Sequence, residues 1–269
     1  MLKIYKSNKG MSLVEIMVAL LITGILTAAM FRVYINQHHA WMIQDSLINV
    51  QQSARAAIDE LAKQLRMTGY ALPNGTTPFQ AYNSNPDSIS ICYKINGCQV
   101  SLKHAMTTTS DALLCDSQNV ACFATGILAY IYDATLERGE FFTVSSIDSA
   151  AWRIQHSAAF TRTYPKNSPI MILEKLTYFI DRSDTLHPCL MVRMGNGTAQ
   201  TYAEDITDLQ FTYTMKNGII VSTPATIKDT RTISIHLTAR TANRDTKFNN
   251  GNYLTESYQS NVFLRNIGV

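Results

Sequence analysis

The chain has 269 residues, of which 46% are hydrophobic and 16% charged, and its formal net charge is +3. This length is sufficient for one substantial globular domain together with a long helix. The net charge is small and no cluster of Lys and Arg stands out, so the composition argues against a nucleic-acid-binding protein.

A basic leader precedes a long apolar run at the N-terminus. The leader contains Lys3, Lys6 and Lys9, and the sequence from Lys9 onward is KGMSLVEIMVALLITGIL. The run is long enough to cross a bilayer, which requires about 20 residues. The lysines precede the run and Arg32 alone lies just after it, which predicts a cytoplasmic N-terminus by the positive-inside rule.

Glu15 places a carboxylate inside this apolar run. A charged residue at the centre of a membrane helix costs about 3 kcal/mol on insertion scales, so Glu15 is a functional candidate that needs a partner. A free α-amino group would be a suitable partner, and cleavage between Gly10 and Met11 would create one. A secretory signal peptide and an ordinary transmembrane anchor are the alternatives, and neither accounts for Glu15.

The spacing of Gly10, Glu15 and the apolar run resembles the class III signal of type IV prepilins and type II secretion pseudopilins. The resemblance implies that a prepilin peptidase cleaves between Gly10 and Met11, that Met11 is then N-methylated, and that Glu15 acts in assembly. This family usually has Phe at the first mature position, where this chain has Met11. Residues 1–10 are then a leader peptide and residues 11–33 the transmembrane half of a long helix.

The helix is predicted to continue beyond the apolar run, through an amphipathic half at 34–70. No proline occurs from Met11 to Leu72, and no glycine occurs between Gly24 and Gly69. Apolar residues recur at helical spacing, at Ile43, Leu47, Val50, Ala54, Ile58, Leu61 and Leu65. With Gly69 as the C-cap, Met11 to Thr68 is predicted to form one helix. A coiled coil is the alternative for the stripe, but the stripe covers only about three heptads and lacks regular flanking charges.

Short strands are predicted beyond residue 70, between turn sequences such as Pro73-Asn74-Gly75 and Asn96-Gly97. The predicted strands are Ser88–Ile95, Ile127–Asp133, Phe141–Ser145, Ile170–Asp181, Cys189–Met194, Leu209–Met215, Thr232–Arg240 and Ser257–Arg265. A long N-terminal helix followed by many short strands predicts an α+β, pilin-like fold. In this fold an antiparallel sheet in a β-rich domain at 71–269 packs on the helix.

Later segments extend the resemblance to PilW-like minor pilins and J-type pseudopilins. They are the helix end Ala56–Tyr70, the segment Ala203–Tyr213, and the last two strands, represented by Arg231–Arg240 and Val262–Asn266. The stretch from about 71 to 168 carries no such resemblance.

The resemblance implies a minor pilin that helps to initiate and cap a type IV pilus. Its partners would be other minor pilins, the major pilin, the prepilin peptidase, the inner-membrane assembly platform and the membrane, with no nucleic acid. It would cross the inner membrane once, with its C-terminal domain in the periplasm, and then reach the pilus tip at the cell surface. A J-type pseudopilin of a type II secretion system is the first alternative, and a membrane-anchored periplasmic enzyme or ligand-binding protein is the second.

Five cysteines lie beyond the apolar run, where an exported domain meets an oxidising compartment. Cys92 and Cys98 flank one turn, and Cys115 and Cys122 enclose another short loop. The simplest prediction is therefore two local disulfides, Cys92–Cys98 and Cys115–Cys122, with Cys189 left over. Five cysteines allow fifteen ways to choose two bridges, so the pairing stays open. Zinc is the alternative, but there is no Cys-x-x-Cys pair and no His at ligand spacing.

No catalytic motif of the G-x-S-x-G, H-E-x-x-H or P-loop type occurs in the sequence, so we expect no enzyme activity, cofactor or metal. The pair His38-His39 follows the apolar run and favours an interface over a metal site. Acidic residues at Asp181, Asp184, Glu204, Asp205 and Asp208 carry oxygens that suit calcium. Their spacing does not match an EF-hand, which favours solvated turns.

Overall fold

The computed structural model describes residues 10–94, 97–245 and 251–267. The chain divides into two compact units, Met1–Asn49 and Val50–Val269, and one helix, α1 (Leu13–Met67), contributes to both. The helix begins two residues after the predicted start and ends one residue before the predicted end. The leader lysines and the predicted turn residue Asn96 lie outside the described residues.

Gly69 ends the helix, as the sequence predicted. Its φ of +82° is the left-handed conformation that glycine adopts without steric cost. A Cβ atom at this position would lie 2.6 Å from the carbonyl oxygen of Asn266, so the site also lacks room for a side chain. The Asn266 side chain donates a hydrogen bond to the Arg66 carbonyl at 3.3 Å, which satisfies one of the carbonyls that a helix end leaves unpaired. The C-terminal segment is therefore attached to the end of α1.

The described residues form three antiparallel sheets. The first has the order β1-β2-β9-β10-β11, with β1 (Phe79–Tyr82), β2 (Ser88–Tyr93), β9 (Glu174–Asp181), β10 (Cys189–Met194) and β11 (Ala199–Glu204). The second has the order β13-β12-β14-β15, with β12 (Ile206–Met215), β13 (Ile220–Val221), β14 (Thr230–Arg240) and β15 (Thr255–Phe263). The third has the order β3-β8-β5-β6-β7-β4, with β3 (Gln99–Ser101), β4 (Leu113–Leu114), β5 (Leu128–Asp133), β6 (Arg138–Asp148), β7 (Arg153–His156) and β8 (Pro169–Ile172).

The second half of α1 packs on the first two sheets in one continuous core. Its buried residues are Val50, Ala54, Ala57, Ile58, Leu61, Ala62 and Leu65. The same core contains inward-facing residues of β2, β9, β12 and β14, among them Ile91, Tyr178, Phe211, Tyr213 and Ile235. Ala54 and Ala57 are fully buried, and their small side chains let the helix approach the sheets closely. This arrangement confirms the α+β prediction.

The third sheet closes on itself to form a six-stranded barrel. Its two outer strands, β3 and β4, are joined beyond their ends by a bridge between Leu102 and Cys115. The Lys103 amide donates to the Leu114 carbonyl at 2.9 Å, and the Asp116 amide donates to the Ser101 carbonyl at 2.9 Å. These six strands enclose a separate hydrophobic core. They lie in the chain between β2 and β9, which are neighbours in the first sheet, so residues 98–172 are an insertion in that sheet.

One predicted strand is in fact two strands. The segment Ile170–Asp181 was predicted as a single strand, but the structure divides it into β8 and β9, on either side of the buried Leu173. The two strands belong to different sheets, so the continuous apolar sequence spans the passage from the barrel back to the first sheet. The strands absent from the prediction are β1, β3, β4, β7, β11 and β13, all between two and six residues long. Such short strands show too little alternation to be recognised in a sequence.

Candidate processing and assembly site

The segment Gly10–Met11 is exposed just before α1. A Cβ atom placed on Gly10 would meet no other atom within 4 Å, and Met11 is 71% exposed. Residues 1–9 of the predicted leader lie outside the described part of the chain. The peptide bond between Gly10 and Met11 therefore lies on an accessible segment.

Ser12 and Glu15 form a reciprocal cap at the start of α1. The Ser12 hydroxyl accepts a hydrogen bond from the Val14 amide at 3.3 Å, and the Glu15 carboxylate accepts one from the Ser12 amide at 3.0 Å. Ser at the N-cap and Glu three residues later match the capping-box sequence, and the Ser12 hydroxyl here accepts from the second amide of the helix, so both side chains satisfy amides that the first turn leaves unpaired. A carboxylate in the first turn also complements the positive end of the helix dipole.

The cap adds a contact that the sequence analysis did not anticipate. The Glu15 carboxylate has a partner in its own chain, the Ser12 amide, and its predicted role in assembly stays a prediction. Ser12 was not among the candidate site residues. The pattern Ser-x-x-Glu would have identified it, because that spacing before an apolar run marks a helix start.

The apolar run of α1 has no packing partner within the described residues. An 18-residue window of the helix has a mean hydropathy of 2.3, and none of it is buried. Two hydroxyls in the run are satisfied inside the helix. Thr23 donates to the Ala19 carbonyl and Thr27 donates to the Thr23 carbonyl, both at 2.7 Å. This stretch of helix can therefore enter a bilayer without leaving these two groups unpaired.

Aromatic residues follow the apolar run on α1. The His38 ring stacks on Tyr34 at 6.0 Å and on Trp41 at 6.1 Å between ring centroids. From Leu13 to Val33 the helix is about 31 Å long, close to the thickness of a bilayer hydrocarbon core of about 30 Å. Tyr34 and Trp41 thus lie where membrane helices enrich amphipathic aromatic residues. The interface role of His38 and His39 stays a prediction.

Comparison with known proteins gives one result at this site. Residues 5–31 match the family model described as "Prokaryotic N-terminal methylation motif". The chain carries a prepilin-type N-terminus. The match covers the end of the leader, Gly10, Met11, the Ser12–Glu15 cap and most of the apolar run. The motif implies processing by a prepilin peptidase and assembly with other pilins, and the apolar helix supports anchoring in a membrane. No curated protein and no solved structure matches the chain.

The disulfide lies elsewhere than predicted. The structure joins Cys98 to Cys122, with 5.9 Å between their Cα atoms, and leaves Cys92, Cys115 and Cys189 free. The predicted bridges Cys92–Cys98 and Cys115–Cys122 are therefore wrong. Cys92 is buried in a small apolar cluster with Tyr130 and Met171, and Cys98 and Cys115 are buried in the separate core of the third sheet. Burial raises the pKa of the Cys92 and Cys115 thiols to about 12.

We expect Cys98→Ser to lower the free energy of unfolding by about 3 kcal/mol. The bridge closes a loop with a sequence separation of 24 residues, and a cross-link of that span restricts the unfolded chain to about this extent. Denaturant unfolding of the protein measures the loss, and Cys189→Ser, at a half-exposed free thiol, is the matched control with little change. Alkylation of the native protein should spare Cys92 and Cys115. A mapped peptide linking Cys92 to Cys98 would contradict the structure.

The acidic residues near β9 and β12 stabilise turns. Asp181 accepts a hydrogen bond from the Ser183 amide at 2.9 Å, and Asp184 accepts one from the Leu186 amide at 2.8 Å. Asp205 pairs with His187 at 3.2 Å. Within residues 10–94, 97–245 and 251–267, no group of three or more His, Cys, Asp or Glu side chains is arranged to hold a metal ion.

Proposed function

We propose that this protein is a PilW-like minor pilin that helps to initiate and cap a type IV pilus. One observation carries the proposal, namely a prepilin-type motif leading into an exposed apolar helix that continues into the core of a β-rich domain. The resemblance of Ala203–Tyr213 and Val262–Asn266 to PilW-like proteins supports the specific assignment. In the structure these segments contribute to β11 and β12, and to β15 with the tail attached to α1.

The proposed role is assembly, with no catalytic step. The peptidase cleaves after Gly10, Met11 becomes the methylated N-terminus, and the assembly platform in the inner membrane raises α1 out of the bilayer. The apolar half of α1 then packs against the helices of the other minor pilins and of the major pilin. The rest of the chain lies in the periplasm before assembly and is then carried to the pilus tip.

The Glu15 carboxylate has two successive partners in this proposal. In the isolated subunit it accepts the Ser12 amide hydrogen, as the structure shows. In the filament the N-terminal ammonium of a neighbouring subunit would approach the same carboxylate. A charge pair is far stronger in the apolar interior than in water, so this contact would fix the axial register between subunits.

Deletion of the gene is expected to abolish surface pili, and the wild-type gene should restore them. Counting pili by electron microscopy and measuring the proteins secreted by the same strain separates the two related functions. Loss of type II secretion with normal piliation would assign the chain to the J-type pseudopilins instead. An unprocessed protein that begins at Met1 and purifies alone would favour the membrane-anchored enzyme or ligand-binding protein.

A further inference from the structure

The outer edge of β15 is not covered by any strand among the described residues. Among the described residues, β15 pairs with β14 alone, over nine residues from Thr255 to Phe263 and without a register shift. Its alternate side chains Thr255, Ser257, Gln259, Asn261 and Phe263 are all exposed. The strand therefore has one long backbone edge that no other described strand covers.

The hydrogen bonds at the two ends of β15 show which backbone groups face outward. The Leu264 amide donates to the Arg231 carbonyl at 3.0 Å, and the Thr241 amide donates to the Leu254 carbonyl at 2.8 Å. Antiparallel strands alternate between hydrogen-bonded and non-hydrogen-bonded pairs, so the even-numbered residues between these points bond to β14. The amide and carbonyl groups of Ser257, Gln259 and Asn261 consequently point away from the sheet.

The other sheet edges are short, irregular or closed. The edge strands β13 and β1 have two and four residues, and the barrel joins β3 to β4 through the Leu102–Cys115 bridge. The edge strand β11 has six residues, and its pairing with β10 is interrupted by a register shift. In contrast, β15 is long and regular and contains no Pro or Lys, which are residues that proteins use to prevent strand addition.

Glu256 is the one charged residue of β15, and its side chain faces the helix side of the sheet. Its neighbour across the ladder is Ala239, and it takes part in none of the ion pairs among the described residues. Burial raises the pKa of the nearby Tyr258 hydroxyl, and the charge of Arg55 on α1 partly offsets this. Arg55 does not form an ion pair with Glu256. An inward-facing charge on an edge strand discourages other strands from pairing with it, because the added strand would cover an unpaired charge. A strand with a Lys or Arg opposite that charge would pair with it and avoid this cost.

We propose that the free edge of β15 binds an extended strand of another pilin-like subunit, and that this strand carries a Lys or Arg opposite Glu256. A row of alternating amides and carbonyls along an extended edge is matched by the backbone of a polypeptide strand. The choice of a pilin-like subunit as the source rests on the proposed function. The strand adds to the second sheet beside β15, so it contacts the subunit outside the apolar half of α1.

Hydrogen exchange tests this edge without altering the chain. The full-length protein in detergent is compared alone and after co-expression with the other pilin-like subunits of its source organism. The amides of Ser257, Gln259 and Asn261 should exchange rapidly in the protein alone and become protected in the complex. Protection of the same amides in the protein alone as its concentration rises would identify a second copy as the occupant and overturn the proposal.

Gln259→Pro removes one outward-facing amide and leaves the hydrogen bonds to β14 intact. Edge strands tolerate proline at such a position, where the amide faces away from the sheet. We expect it to reduce co-purification of the partner subunit about tenfold, as the loss of a backbone hydrogen bond would. Gln259→Thr changes the same side chain but retains the amide, and should bind as the wild type does. A thermal unfolding curve of each variant shows that the domain is folded.

Glu256→Lys should weaken co-purification to a similar extent, and Glu256→Gln should weaken it less. Normal binding of Glu256→Lys would show that the residue opposite Glu256 is not basic, and would overturn the proposed Lys or Arg on the added strand. If the wild type recruits partners while the three amides stay exchangeable and Gln259→Pro binds normally, the strand-addition proposal alone is wrong. If the wild type recruits no pilin-like subunit, both this proposal and the proposed function are wrong.

Discussion

Gly10→Val is expected to leave the leader attached, with a loss of about a hundredfold in cleavage by the prepilin peptidase. A peptidase must hold the scissile backbone within a fraction of an ångström of its reactive geometry, and small misplacements cost rates of this order. A branched side chain next to the cut bond prevents that close approach. The chain itself should not misfold, because a Cβ atom on Gly10 would meet nothing within 4 Å.

Mass spectrometry of the membrane-extracted protein measures the effect. The wild type should begin at a methylated Met11, and Gly10→Val should begin in the leader. Gly24→Val is the matched control, since Gly24 lies within α1, away from the cut, and its Cβ would also meet nothing within 4 Å. The control should be cleaved normally. A Gly10→Val chain that begins at Met11 would show that glycine is not required at the cut.

Glu15→Ala is expected to insert and be cleaved as the wild type is, but to enter the filament at least about a hundredfold less well. Removing one member of a buried charge pair leaves the other charge uncompensated, which costs about 3–5 kcal/mol. Glu15→Gln should fail to a similar extent. Glutamine can still accept the Ser12 amide in a capping box, so this variant retains the cap and loses only the charge.

The test compares cleaved variants by co-purification of partner pilins and by counts of surface pili. Asp45→Ala is the matched control, because Asp45 is an exposed carboxylate on the same helix outside the apolar run. It should assemble normally. If Glu15→Gln assembles normally and Glu15→Ala does not, the role of Glu15 is to cap the helix. If cleaved Glu15→Ala assembles normally, the docking role is wrong.

The sequence by itself determined the N-terminal site and the helix. The prepilin-type motif was recognised because Gly10, Met11 and Glu15 lie within one or two turns of one another and of the apolar run, and such spacing is visible in the chain. The bounds of α1 were predicted closely for the same reason, since a long helix repeats its pattern many times and ends at Gly69. The central strands β12 and β14 were also predicted, because their alternate residues face a core and solvent.

The tertiary structure alone decided the barrel, the disulfide and the free edge. Closure of the third sheet depends on the meeting of Leu102 and Cys115, and the disulfide joins cysteines from opposite ends of a loop. The edge of β15 is open because β14 is its sole described neighbour. Each of these features depends on which distant segments lie side by side. That arrangement follows from how whole sheets bury their apolar faces, and local spacing does not specify it.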